Sequence, residues 1–286
     1  MDTNFWVIQT FNGISYGALL FLLASGLSLI FGVMRIVNLS HGSFFLLGGY
    51  VALTVIWTTG SWLLAIPVAA LVIAVMGLAV ERVFLRPLGF DPLRQVLLTV
   101  GFAYLFQQAA LDIWGGDNLD IAPPAMLKES AVIGGFYIPL YRVFMIGMAL
   151  VMGVILWLTM EKTRMGAMVR ATVDDAEMAR GVGINTSRVS MFIFALGAFL
   201  AGLGGVIGGA FLGVYPGLDF AILPIAFAVV IIGGMGSLTG AAVGSLLVGL
   251  ADNFGKALFP EVSYFTLYAP MVLILALKPT GLFGRE

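Results

Sequence analysis

The 286-residue sequence has no cysteine. Disulfides, thiolate metal sites and cysteine catalysis are therefore excluded. Charge is nearly as scarce. Asp, Glu, Lys and Arg make up 10% of the residues, against about a quarter in a typical soluble domain. The 14 basic and 15 acidic groups almost cancel to a net charge of −1, so no global field attracts an anionic polymer and no nucleic acid is expected as a partner. A single histidine, His41, can form neither a metal cluster nor the acid pair of an intramembrane protease. No catalytic residue, no metal ligand and no cofactor held by this chain are expected. The sequence also lacks a Gly-x-x-x-x-Gly-Lys-Ser/Thr phosphate loop, so any nucleotide hydrolysis falls to another subunit.

What the chain has instead is apolar surface. Hydrophobic residues are 60% of the total and mean hydropathy is +1.06, more than a soluble domain of this size can hide. Ile36 to Val80, Val189 to Leu218 and Phe220 to Ala251 contain no Asp, Glu, Lys or Arg. A spanning helix needs about 20 apolar residues, so the first and third runs each hold two. The start does not read as a cleavable signal: Met1-Asp2 offers no basic flank, and the apolar run Phe5 to Phe31 is too long.

The pattern predicts an all-α, polytopic membrane protein forming one transmembrane domain over 1–286, with helices near 5–31, 39–57, 62–80, 95–113, 140–160, 189–212, 220–235, 238–252 and 263–278. That is about nine spans, or eight if one segment is re-entrant. The runs are continuously apolar rather than alternating, which argues against a barrel. With nine spans, one face receives Arg35, Arg82, Arg86, Arg94, Lys162, Arg164, Arg170, Arg180, Arg188, Lys278 and Arg285, and the other only Lys128, Arg142 and Lys256. The positive-inside rule puts the first face, with the C-terminus, in the cytoplasm and the N-terminus outside. Residues 114–139 then read as an irregular extracytoplasmic cap and 161–188 as a cytoplasmic loop.

Small residues recur at helical spacing. Gly205, Gly209 and Gly213 follow Ala201, and Gly236, Gly240 and Gly244 form a second series. Such stripes let helix backbones approach closely in lipid, either as static packing or as surfaces that slide. Ionisable groups look nearly absent from mid-membrane, because Asp112, Asp219 and Asp252 all fall near the outer ends of their expected spans. Ion-coupled carriers usually keep a charge at depth, so the pathway is expected to be uncharged. His41 lies in Asn38-Leu39-Ser40-His41-Gly42 at the cytoplasmic start of a span. It is either a satisfied helix-start residue, with Asn38 or Ser40 capping, or a gate. Gln107 and Gln108 either hydrogen-bond between helices or line a pathway.

The loop from Gly166 to Asn185 holds the most local detail. Asp174 and Glu177 have the spacing of a capping box, and Gly181 or Gly183 supplies a stop. The enclosed helix is too short to be stable alone in water and needs a surface to dock on. Ala176 and Ala179 give it a narrow face, and Met178 an apolar knob.

The series Arg170-Ala171, Asp174-Asp175, Ala179 and Gly183-Ile184-Asn185 resembles the cytoplasmic coupling loop of permease subunits in ATP-binding-cassette importers for branched-chain amino acids. Asn12-Gly13 followed by Asn38-Leu39-Ser40-His41-Gly42, Leu98-Thr99-Val100-Gly101 with Trp114-Gly115-Gly116, and Gly233-Gly234-Met235-Gly236-Ser237 resemble further signatures of the group, nearer its LIV-H than its LIV-M type. The resemblance implies a multi-pass subunit of a bacterial-type inner (plasma) membrane. It implies a second, LIV-M-like permease, two cytosolic ATPases that bind ATP and Mg, and an extracytoplasmic substrate-binding protein. It implies coupling through Arg170, Ala171, Asp174, Asp175, Ala176, Glu177, Ala179 and Gly183. Permeases for urea and short amides share these motifs and remain the alternative cargo. An ion-coupled carrier or a membrane scaffold is the alternative from another class. The topology has a direct check: site-directed labelling should place residue 125 outside and residue 175 inside, and both on one side would overturn the arrangement.

Overall fold

The computed structural model describes residues 3–89 and 91–284. All nine expected segments are helical. In chain order the helices are α1 (Thr3–Met34), α2 (His41–Thr59), α3 (Trp62–Val80), α4 (Pro92–Trp114), the short α5 (Ala125–Lys128), α6 (Leu140–Lys162), α7 (Arg164–Asp174), α8 (Ala176–Gly181), α9 (Thr186–Leu212), α10 (Leu218–Gly233), α11 (Leu238–Leu258) and α12 (Ser263–Leu277). Among the described residues, seven are long and apolar enough to cross a membrane, namely α1, α2, α3 with its extension to Leu88, α4, α6, α9 and α11. The 16 residues of α10 and the 15 of α12 are about 24 and 22 Å long at 1.5 Å per residue, short of the ~30 Å hydrocarbon core. Two of the nine expected spans are therefore shorter than a full crossing.

The centre of the bundle is α1 and α9, antiparallel and buried on nearly all sides. Lipid gives helices no hydrophobic reason to associate, so small residues that admit close backbone contact decide the packing. A Cβ on Gly26 of α1 would come within 2.7 Å of Gly197 O on α9, and one on Gly17 within 2.8 Å of Ser245 O on α11. Helix α2 lies against α9, where a Cβ on Gly205 would collide with Phe45 O. Gly209 packs on Ile121 and Val214, and Gly244 on Val229 O. All six expected packing glycines do meet a neighbour, but two are not helical. Gly213 caps α9 with φ 77°, and Gly236 lies in the α10–α11 turn with φ 82°, against Gly32 Cα. The outer helices α3, α4 and α6 show large apolar side chains to the surroundings, among them Leu63, Val75, Leu97 and Leu150.

The segment 114–139 is more regular than expected. Ser130–Ile133 and Phe136–Pro139 form an antiparallel hairpin, β1 and β2. Gly134 and Gly135, with φ 60° and 86°, supply the two positive-φ positions that a tight hairpin turn needs. Leu119 exchanges backbone hydrogen bonds with Val214, of 2.9 and 2.8 Å. Residues 281–284 fold back on α10: the amides of Leu282 and Phe283 donate to Ile232 O and Gly233 O, both at 2.9 Å.

Gly205→Leu should push α2 off α9. Overpacking costs about 1–3 kcal/mol in soluble cores, and we expect loss of the folded, monodisperse protein in detergent. Unchanged thermal unfolding would show that the α2–α9 contact tolerates separation.

Candidate translocation site

Helix α2 does not begin at the end of α1. The chain leaves α1 through Arg35, a non-glycine residue at φ 54°, and climbs back along the bundle before turning helical at His41. His41 Nε2 donates to Leu23 O at 3.0 Å, about three turns above the last residue of α1. A carbonyl only accepts, so this nitrogen carries the proton. The climbing segment is non-helical at depth, which lipid forbids unless its polar groups find partners within the protein. Leu39 N–H donates to Thr99 Oγ1 at 3.2 Å, and Ser40 donates to Asn38 Oδ1 through both its amide (3.1 Å) and its hydroxyl (2.7 Å).

Helix α10 also begins inside the bundle. Its first turn follows Gly217, at φ 102°, and carries Asp219. Ser43 Oγ donates to Asp219 Oδ2 at 2.9 Å. The same hydroxyl lies 3.4 Å from Ala103 O, and Ala103 is the central residue of α4. Asp219, only 2% exposed, is thus a buried carboxylate linked through Ser43 to the middle of α4. Asp219 does open its helix, as expected, but its side chain is buried inside the bundle rather than at the surface. Gly42 lets the two helix starts meet, since a Cβ there would come within 2.6 Å of Asp219 O.

An apolar cavity of about 540 Å³ flanks this junction, with Leu39, Ala103 and Phe220 among its lining residues. Of the expected pathway residues, Asn38, Ser40 and His41 are fully buried at the junction. Gln107 stands beside Gly217, 3.9 Å from where a Cβ would be. Gln108 faces outward and donates to Asp112 Oδ1 at 2.9 Å, so it is a surface pair on α4. Sequence reasoning did not single out Ser43, named Thr99 only within a signature, and read Asp219 only as a charge at the end of a span. The charge of Asp219 between two long uncharged runs was the available signal.

The coupling segment also differs from expectation. It contains two helices, and the N-cap is Asp175, not Asp174. Asp175 Oδ1 accepts from Glu177 N and Met178 N, both at 2.9 Å, while Asp174 closes α7. The extended backbone at Asp175, φ −154°, breaks the helix between them. Gly183, at φ 91°, is the stop: its amide donates to Arg180 O at 3.0 Å, and Ile184 N to Ala179 O at 2.9 Å. Arg170 is turned back to Met160 O and lies 3.6 Å from Glu161. Ala171 accepts the Asp175 amide at 3.1 Å. Ala179 is buried and Ala176 half-buried, so the narrow face rests on the protein itself. The outward face carries Met178 and Val182, 67% and 75% exposed.

Residues 9–275 match the family model described as "Branched-chain amino acid transport system / permease component". The chain belongs to this family. It is 31% identical to the high-affinity branched-chain amino acid transport system permease protein LivH of Escherichia coli K12, over 98% of this chain and 96% of that protein. It is 29% identical to the BraD permease protein of Pseudomonas aeruginosa, over 97% and 95%, and 26% identical to LivM of E. coli K12, over 91% and 67%. This permease is a multi-pass membrane protein.

Ser43→Ala removes the only side-chain donor to Asp219 among the described residues. Leaving a buried group short of a hydrogen bond costs about 1–3 kcal/mol, more for a charged one. Ser43→Ala should lower the unfolding temperature in detergent, and Ser43→Thr should restore most of it. Equal stability of all three would mean that the pair does not hold α2 to α10.

Proposed function

We propose that this chain is one of two permease subunits of an ATP-driven importer that brings branched-chain amino acids into a bacterial cytoplasm. The observation that carries the reading is the junction of α2 and α10. Two helix starts and a buried carboxylate interrupt the apolar wall there, beside a cavity suited to an apolar side chain. An amino acid offers an ammonium to Asp219 and a branched chain to that cavity. Urea offers neither, and the relatives' names speak of branched-chain amino acids.

The remaining parts follow from chemistry this chain lacks. Without a phosphate loop it draws on two separate ATPases, which bind ATP and Mg. A soluble receptor delivers the cargo to the pole of the hairpin and the 114–139 segment. The opposite pole collects the ends of α1 and α3 and the starts of α4 and α9, with their Lys and Arg residues, and faces the cytoplasm. A second permease, of the kind LivM represents, covers part of the exposed apolar surface. Helix α8 docks on an ATPase through Met178 and Val182, and rigid α9, which follows it, carries the movement inward to give alternating access.

Two measurements test this. Liposomes holding the complete complex should take up leucine, isoleucine and valine, and not urea, when ATP and the cognate receptor are supplied; uptake of urea alone would replace the cargo. Met178→Asp with Val182→Asp should leave the permease pair folded and lower receptor-stimulated ATP hydrolysis at least tenfold. Unchanged hydrolysis would move the coupling surface elsewhere.

A further inference from the structure

A second cavity, of about 480 Å³, lies where α1 and α3 end and α9 begins. Small-ligand sites occupy roughly 300–1,000 Å³. Its lining is mixed in character, unlike the apolar cavity beside Asp219. Glu81 lines it, is 2% exposed, and its Oε2 has no hydrogen-bond partner. No Lys or Arg among the described residues pairs with it within salt-bridge distance. A buried, unpaired carboxylate is among the costliest groups a fold can keep, and this one calls for a cation.

Arg86 and Arg82 are near enough for their charges to act on Glu81, but neither reaches it within salt-bridge distance. Glu81–Leu85 is a π-type turn, with Arg86 N–H bonded to Glu81 O. Such turns recur at functional sites. Arg86 reaches across to α9, where its Nη1 lies 3.9 Å from Met191 Sδ. There it joins a second positive feature of the lining. Thr186 and Ser187 open the 27-residue α9, and the first amides of a helix have no intrahelical acceptor. The Asn185 side chain takes only the Arg188 amide, at 3.1 Å. A helix N-terminus of this kind favours a carboxylate. Val33, Leu85 and Ile184 add an apolar wall.

One small molecule class answers an acid, a base with free amides, and an apolar wall together. We infer that this cavity binds a free α-amino acid as a zwitterion, its ammonium at Glu81, its carboxylate at Arg86 and the first turn of α9. The inference rests on the proposed function, because the imported product appears at this pole. An occupant would brace the end of α3 against the start of α9, directly after the coupling helix α8. Bracing resists their relative movement, so the product slows its own import.

The test uses the complete complex in nanodiscs, open to solution at both poles, with L-leucine as the probe. ATP hydrolysis stimulated by a fixed, saturating amount of leucine-loaded receptor is followed as free L-leucine rises. Binding of labelled L-leucine is measured separately without receptor. Leucine should bind and inhibit. 4-Methylpentanoate, which lacks the ammonium, and 3-methylbutylamine, which lacks the carboxylate, should do both at least tenfold more weakly. Glu81→Gln should raise the inhibiting concentration at least tenfold and leave the uninhibited rate unchanged. Arg86→Gln, at an exposed position, should act in the same direction and decides the matter if Glu81→Gln fails to assemble. Absence of binding, or inhibition that ignores both variants, overturns the inference. Uptake by the unmodified complex in liposomes separates the two claims. No leucine uptake overturns the cargo and this site together, and uptake without Glu81-dependent binding overturns this site alone.

Discussion

Gly26 against Gly197, Gly48 against Gly202 and Gly249 against Gly13 and Gly17 place backbone on backbone at the centre of the bundle. In lipid this contact is gained through dispersion and close fit, since burying a leucine from hydrocarbon into protein yields little. Everything else hangs from those contacts. They fix α1 to α9 and α11, and they press α2 onto α9 so closely that the start of α2 is held beside Leu23 of α1. Where α2 starts then decides where the non-helical 35–40 segment runs and where Ser43 can reach.

Two partial breaks at the same depth would ordinarily be costly, because each exposes main-chain donors to hydrocarbon. Here each break is answered from within. Thr99 on α4 and Asn38 take the loose amides of the first break, and Ser43 joins the first break to the second through Asp219. The junction is therefore polar, dehydrated and structurally satisfied on one side, while Asp219 Oδ1 remains without a partner. A carboxylate in that condition can receive a transient cationic guest without first giving up a bond.

Much of this architecture was legible in the sequence. Apolar runs located the nine long helices of the bundle, because a bilayer permits little else. The packing glycines were visible as spacing, and four of the six sit on helices as expected. Depth was not legible. Asp219 reads as a charge at the end of a span, and only the docking of α10 on α2 reveals that it is buried. The coupling segment erred by one residue for a local reason: Asp174 and Asp175 are both competent N-caps, and tertiary packing of α7, not capping chemistry, chose between them. Glu81, next after the uncharged run that ends at Val80, was not singled out, since nothing in a sequence reports that a carboxylate lacks a partner.

The strand-like return of residues 281–284 onto α10 has an evolutionary consequence. It supplies amides to Ile232 O and Gly233 O, two of the last carbonyls of that helix, which would otherwise go unbonded. Main-chain pairing does not read side chains, so mutational drift at 282 and 283 is constrained only by size and polarity. The neighbouring glycines are held by shape. Gly234 lies at φ 102° with Gly284 against it, and Gly281 lies at φ 78° against Ile231 O. Among homologues the imprint of this clasp should therefore be a set of spaced glycines within an otherwise freely varying stretch, a pattern that composition alone would mistake for a loose tail.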